Sequence, residues 1–147
     1  MRAVLQRVTE ARVMIDDEIV GEIGPGLLVF VAVHRDDSES EASRLASKIL
    51  RLRVFPDTSG KMNLNVSEFE GSLLVVSQFT LYGETRKGNR PSFDNAAAPV
   101  KAQLLYDFFV SICRSSGVKT ATGRFQAHMR VQLVNDGPVT ILCDSES

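Results

Sequence analysis

Apolar and polar residues alternate from the start of the chain. Val4, Gln6 and Val8 fall on one face of an extended segment and Ala3, Leu5 and Arg7 on the other, which predicts a strand over Ala3–Val8. A second short strand is predicted over Ala11–Ile15, a turn at Asp16–Asp17 and a returning strand over Glu18–Ile23. Hairpins are therefore expected at the front of the fold. Gly24-Pro25-Gly26 is turn punctuation. Leu27–Val33 is then unbroken apolar, the pattern of a central strand covered on both faces.

The period changes next. Ser38 followed three residues later by Glu41 forms the signature of a capping box. Ala42, Leu45, Ala46, Ile49 and Leu52 follow as one stripe at helical period, with Arg44, Lys48, Arg51 and Arg53 mostly off it. Val54–Phe55 reads as a short extended piece, Pro56–Gly60 as a turn and Ser72–Gln78 as a strand. From Tyr82 to Ala98 the periodicity dissolves into a long loop, and a loop of that length in a small domain is usually functional. Pro99 suits the first turn of a second helix, whose predicted stripe is Leu104, Leu105, Phe108, Phe109 and Ile112, ended by Gly117. Met129, Val131 and Leu133 alternate with Arg130 and Gln132 as a strand. Asn135-Asp136-Gly137-Pro138 interrupts it, Val139–Leu142 resumes, and the polar tail from Asp144 to Ser147 is expected to fray. The expected class is α/β: a single domain over residues 1–147, with a mixed sheet, front hairpins and two main helices.

Composition narrows the function classes. The chain has 147 residues, 44% hydrophobic and 24% charged, which fits a globular domain and excludes disorder and coiled coil. Lys and Arg number 17 against 18 Asp and Glu, so a polybasic binder is excluded while local basic patches are not. Cys113 and Cys143 cannot build a disulfide framework and read as core thiols in a reducing compartment. His34 and His128 have no neighbouring Cys or His, so no metal is expected. The longest apolar run falls far short of the ~20 residues that span a bilayer, and no signal-peptide pattern opens the chain; a cytoplasmic protein without membrane attachment is expected.

Three constellations could carry chemistry. Ser77-Gln78-Phe79-Thr80 ends a buried strand in polar groups. Its emerging N–H groups can form an oxyanion hole, or its hydroxyls can simply satisfy the local backbone. Asn135-Asp136-Gly137-Pro138-Val139-Thr140 reads as a hairpin turn, or as a cis Gly–Pro turn presenting two backbone acceptors. Arg86, Lys87 and Arg90 can hold phosphates or be ordinary solvated charge. His34 reads as a loop residue and His128 as a strand-edge surface residue. No base is placed beside Thr80 by sequence, which makes Thr80 a poor activated nucleophile. These residues leave open a nucleic-acid binding module that uses the basic loop and a small-ester hydrolase that uses Thr80.

Ser77-Gln78-Phe79-Thr80-Leu81 together with Asn135-Asp136-Gly137-Pro138-Val139-Thr140 resembles the two signature motifs of the D-aminoacyl-tRNA deacylases. The resemblance extends to Gln6-Arg7-Val8, Gly60-Lys61-Met62-Asn63, Arg90-Pro91-Ser92-Phe93 and Thr122-Gly123-Arg124-Phe125. It implies a cytoplasmic homodimer, without cofactor or metal, that binds the 3′ end of aminoacyl-tRNA and hydrolyses the ester to a D-amino acid. Ser77, Gln78, Phe79 and Thr80 match the pocket strand, Thr80 being the position once put forward as nucleophile. Gly137 and Pro138 match a Gly-cisPro motif that enters the partner subunit's site and rejects L-amino acids by its parallel carbonyls. Arg7 matches the brace of that loop, and Ala102 and Met129 match positions near the pocket. At His128 the family pattern leads one to expect Asp, a change expected to affect only surface charge. Glycyl-tRNA is expected to pass the same gate. Backbone donors near Phe79 and Thr80, with help from the ribose 2′-OH, are expected to suffice for an already reactive ester.

Overall fold

The computed structural model describes residues 1–146. The first strand, β1 (Arg2–Ile15), is one long element where two short ones were predicted. The alternation falters near its middle because the strand changes neighbours there. Its second half pairs with β2 (Glu18–Ile23), from Ala11 opposite Ile23 to Ile15 opposite Glu18. Its first half pairs antiparallel with β3 (Gly26–Ala32), from Arg2 opposite Ala32 to Val8 opposite Gly26. Only the first of the expected front hairpins therefore forms, closed at Asp16, which takes the left-handed φ of +53° that Asp tolerates. β2 and β3 are consecutive but do not pair with each other.

β3 is buried along nearly its whole length, as its unbroken apolar run predicted. The helix α1 (Glu39–Arg51) follows, and the Glu41 carboxylate accepts from the Ser38 N–H at 2.6 Å and its hydroxyl at 2.5 Å. Those bonds, the hydroxyl first, hold the Glu41 carboxyl down to about 2. Ala42, Leu45, Ala46 and Ile49 are buried as read; Leu52 lies just past the helix end. A small ribbon, β4 (Phe55–Pro56) with β5 (Met62–Leu64), precedes β6 (Ser72–Ser77), which runs parallel to β3.

The second helix, α2 (Pro99–Ser115), starts at Pro99 as predicted, but its buried face is rotated from the predicted one. Ala102, Leu105, Tyr106, Phe109, Val110 and Cys113 face inward, while Leu104 is 66% exposed and Phe108 and Ile112 are half-buried. Reading only the largest apolar residues misplaces the stripe. Tyr106 belongs inside because its hydroxyl donates to the Val75 carbonyl at 2.9 Å. Cys113 and Cys143 are buried free thiols, and burial pushes Cys113 up to about 12. Neither is a reactive thiolate near neutral pH.

β7 (Thr120–Thr122) extends the sheet beside β6, and β8 (Arg130–Asp144) runs antiparallel to β1 on its other edge. The strand order is β2-β1-β3-β6-β7, with β8 on β1, which makes the sheet mixed. The sheet bends so that β2 lies across β6 and β7. Gly21 permits that approach, because a Cβ there would collide with the Thr122 carbonyl. One core fills the space between sheet and helices, where Leu5, Val29 and Val75 meet Leu45, Ile49 and Phe109. A smaller one fills the bend, with Val13, Leu28, Leu74 and Val76. Each such side chain contributes roughly 1.5–3 kcal/mol on full burial.

The tail does not fray at Asp144 as expected. The Met1 ammonium, fully buried, lies 2.7 Å from Asp37 Oδ2 and donates to Ser145 Oγ at 2.7 Å, while the Ser145 N–H donates to the Met1 carbonyl at 2.9 Å. Ser147 lies outside the described residues. Among the described residues no helix is long and apolar enough to cross a membrane.

Candidate active site

Because β3 and β6 are parallel, their carboxyl ends emerge on the same side, at Ala32 and Ser77. A cavity of about 680 Å³ opens there. It sits where α/β sheets commonly bind ligands, beyond the carboxyl ends of the strands. Ser77, Gln78 and Phe79 line it from the sheet, Ala102 from the first turns of α2, and Met129 from the connection into β8. Five of the nine predicted site residues thus meet in one cavity.

The polypeptide leaves β6 through a 3₁₀ turn at Phe79–Tyr82. Gln78 is still tied to the sheet, its N–H donating to the Val31 carbonyl at 2.8 Å. The first bond of the turn runs from the Leu81 N–H to the Gln78 carbonyl at 3.2 Å, so the N–H groups of Phe79 and Thr80 have no partner within the turn. Thr80 is exposed and outside the cavity wall; its Oγ1 accepts from Gln78 Nε2. Neither reading of this strand end holds in full. One hydroxyl is used locally, and two main-chain donors are left beside a cavity.

The other motif is no hairpin. β8 is one element through Asn135–Thr140, yet its register breaks there: Gln6 of β1 is opposite Thr140 and Val8 opposite Asn135. Asp136–Val139 therefore stand against Arg7 alone and loop out. Asn135 ties the base: its Oδ1 accepts from the Val139 N–H at 2.8 Å and its Nδ2 donates to Thr140 Oγ1 at 3.0 Å. The Gly137–Pro138 bond is cis and both residues are exposed. Gly137 has a φ of +144°, and a Cβ there would sit 2.8 Å from the Val139 nitrogen, which only glycine accommodates.

Arg7 holds the loop from below. Its Nε donates to the Asp136 carbonyl at 3.0 Å, with the Asp136 carboxylate 3.7 Å away, and its Nη1 donates to the Val54 carbonyl at 2.7 Å. The side chain is only 13% exposed, so these charge-assisted bonds are worth more than surface ones.

Residues 4–144 match the model of the D-Tyr-tRNA(Tyr) deacylase family. The chain belongs to that family. Among curated relatives, the D-aminoacyl-tRNA deacylase of Thermotoga petrophila is 57% identical over 145 residues, covering 99% of this chain and 97% of that one. That of Cronobacter sakazakii is 59% identical over 140 residues, covering 95% and 97%. Among solved structures, the c-Myc DNA Unwinding Element Binding Protein superposes with a TM-score of 0.93 at 38% identity, covering 98% of each chain. A probable eukaryotic D-amino acid tRNA deacylase, at 21% identity, shares the fold with a TM-score of 0.85 over 97% of this chain.

Among the wall residues of this deacylase-family cavity that the sequence reading does not name as site residues are three with rings, Phe93, Phe125 and His128. Phe93 packs edge-on against Phe79 with ring centroids 5.1 Å apart, and Phe125 and His128 also line the cavity. The sequence signal for Phe93 was present in Arg90-Pro91-Ser92-Phe93. For Phe125 it lay likewise in Thr122-Gly123-Arg124-Phe125; for His128 there was none, because the β7–β8 connection is brought to the cavity only by tertiary folding. His128, expected to matter only for surface charge, is exposed and also lines the cavity.

Arg7→Ala is expected to lower stability by about 2–3 kcal/mol, since two bonds to a charged, largely buried donor are lost. Chemical denaturation checks it: a midpoint equal to that of the unmodified chain would show that the loop holds its shape without the brace.

Proposed function

We propose that this chain hydrolyses the ester of D-aminoacyl-tRNA, freeing the D-amino acid and the tRNA. The observation that carries the reading is the pair of main-chain donors, Phe79 and Thr80 N–H, left beside the cavity at the end of β6. A tetrahedral intermediate forms when water adds to the ester carbonyl, and its oxyanion needs fixed donors of this kind. The C–O bond to the ribose then breaks. An aminoacyl ester is reactive enough that orientation and charge stabilisation, with the neighbouring 2′-OH close to the reacting carbon, replace a strong side-chain base.

The working enzyme in this reading is a homodimer. Gly137 and Pro138 stand opposite Arg7, which pairs near Leu27, whereas the cavity begins at Ala32, which pairs with Arg2. Five residues of ladder, about 17 Å, separate the two levels. Neither Gly137 nor Pro138 lines the chain's own cavity. An exposed loop held rigid by Arg7 and Asn135 and remote from its own cavity suits insertion into the cavity of a second copy. There its backbone carbonyls occupy the space an L side chain would need. Carbonyls cannot identify a side chain, so rejection is by clash and many D-residues are accepted. Glycine, with nothing to clash, falls in the same range of substrates. A tRNA substrate places the work in the cytoplasm.

Thr80 then acts through its N–H. Thr80→Ala is expected to keep deacylation within about threefold, a change below about 0.7 kcal/mol in the barrier. Incubation with matched D- and L-aminoacyl-tRNA, following ester loss, checks both points. A loss beyond 100-fold would restore a hydroxyl nucleophile. Binding without any turnover by the unmodified chain would turn the reading into a binding module, and equal cleavage of simple free esters would turn it into a general esterase.

A further inference from the structure

The loop between the 3₁₀ turn and α2 is rigid at its base and bare at its tip. At the neck, the Glu84 N–H donates to the Ser92 carbonyl at 2.7 Å and the Ser92 N–H returns the bond to the Glu84 carbonyl at 3.0 Å. Beyond the neck, the Arg35 N–H donates to the Asn95 carbonyl and the Ala97 N–H to the Val33 carbonyl, each at 2.9 Å, which ties the loop to the end of β3. Phe93, one residue past the neck, is part of the cavity wall.

The tip, Thr85–Pro91, is exposed throughout and carries Arg86, Lys87 and Arg90. Gly88 turns it with a φ of +77°, and nothing lies within 4 Å of the Cβ it lacks, so the turn stands clear of the body. Arg86 is neutralised by Glu84, whose Oε1 lies 2.7 Å from its Nε. Lys87 and Arg90 have no carboxylate within 4 Å among the described residues.

The cavity wall contains no lysine or arginine. The chain as a whole has a net charge of −1, so it offers a polyanion no general attraction. A nucleic acid whose aminoacylated end enters this cavity therefore depends on cations at the rim. The loop supplies two uncompensated ones, anchored within a few residues of a wall side chain. We propose that Lys87 and Arg90 hold the phosphates of the unpaired nucleotides just upstream of the aminoacylated 3′ end. This rests on the deacylase reading for the identity of the ligand. The loop's function is to position the strand rather than to read its bases, because ammonium and guanidinium contacts to phosphate carry no sequence information.

The test uses the full chain and the double variant Lys87→Gln/Arg90→Gln. Binding of uncharged tRNA is measured by fluorescence anisotropy at several salt concentrations. The plot of log K against log salt is expected to flatten by about 1.4, two contacts at roughly 0.7 each, with affinity at low salt about tenfold weaker. The charge-keeping pair Lys87→Arg/Arg90→Lys is expected to retain the original slope. The ratio of kcat/KM for D-aminoacyl-tRNA to that for D-aminoacyl-adenosine, which has no phosphate, is expected to fall about tenfold in the Gln variant. An unchanged slope and affinity would overturn the proposal, and so would an equal loss on both esters. If the unmodified chain binds tRNA with the loop-dependent slope but hydrolyses neither ester, the deacylase reading fails and the phosphate grip stands.

Discussion

Ala102→Trp is expected to lower kcat/KM for D-aminoacyl-tRNA by at least about 100-fold, the scale on which misplacement of a reacting group by an ångström is felt. Ala102 lies in the first turns of α2 and is nearly buried against the cavity. An indole there projects into the space in front of Ser77–Phe79. The helix itself has no objection to tryptophan, and the cavity has room that a packed core would not have, so the stability cost is expected to stay within the 1–3 kcal/mol of overpacking. Thermal unfolding measured beside the kinetics separates the two effects. Activity within a few fold of normal in a folded variant would mean that this cavity is not where the ester sits.

The second large effect lies far from the chemistry. Asp37→Ala is expected to lower unfolding free energy by about 3–5 kcal/mol, the cost of leaving a buried charge without its partner. The Met1 ammonium is fully buried and Asp37 is 8% exposed, so water cannot replace the carboxylate. Asp37 also accepts from the His34 N–H at 2.6 Å, so its loss releases the turn that follows β3. Urea unfolding reads the effect directly as a shift in midpoint. A shift worth less than about 1 kcal/mol would show that the ammonium finds water after all, as surface pairs do.

What the sequence made legible was whatever rests on local chemistry. The unbroken run Leu27–Val33, the Ser38–Glu41 cap and Pro99 at the head of α2 each carry their reason within a few residues. What it hid depends on partners far away. β1 reads as two strands because its halves have different neighbours, and no local signal says that they are continuous. The stripe on α2 was misplaced because Leu104 is large and outside while Ala102 is small and inside. Of the site, the strand end Ser77–Phe79 could be read from the residues themselves. Arg7, Ala102 and Met129 came only from the family resemblance, since Arg7 meets its acceptors 47 and 129 positions away. The loop Asp136–Val139 looked like a turn because its composition is that of one; only the register against β1 shows a strand carrying an excursion.

The pairing of Val31 with Ser77, and the bond from the Gln78 N–H to Val31, set where β6 stops and its N–H groups become available. A site that works through its main chain is indifferent to many changes of side chain and acutely sensitive to chain count. Removing one residue from within β6 would turn Ser77 to the other face of the sheet and draw the two donors into or past the ladder. Variation in this protein is therefore constrained at the end of β6 less by the identity of the residues than by their number. Insertions and deletions there, more than replacements of side chains, are the changes expected to abolish the site.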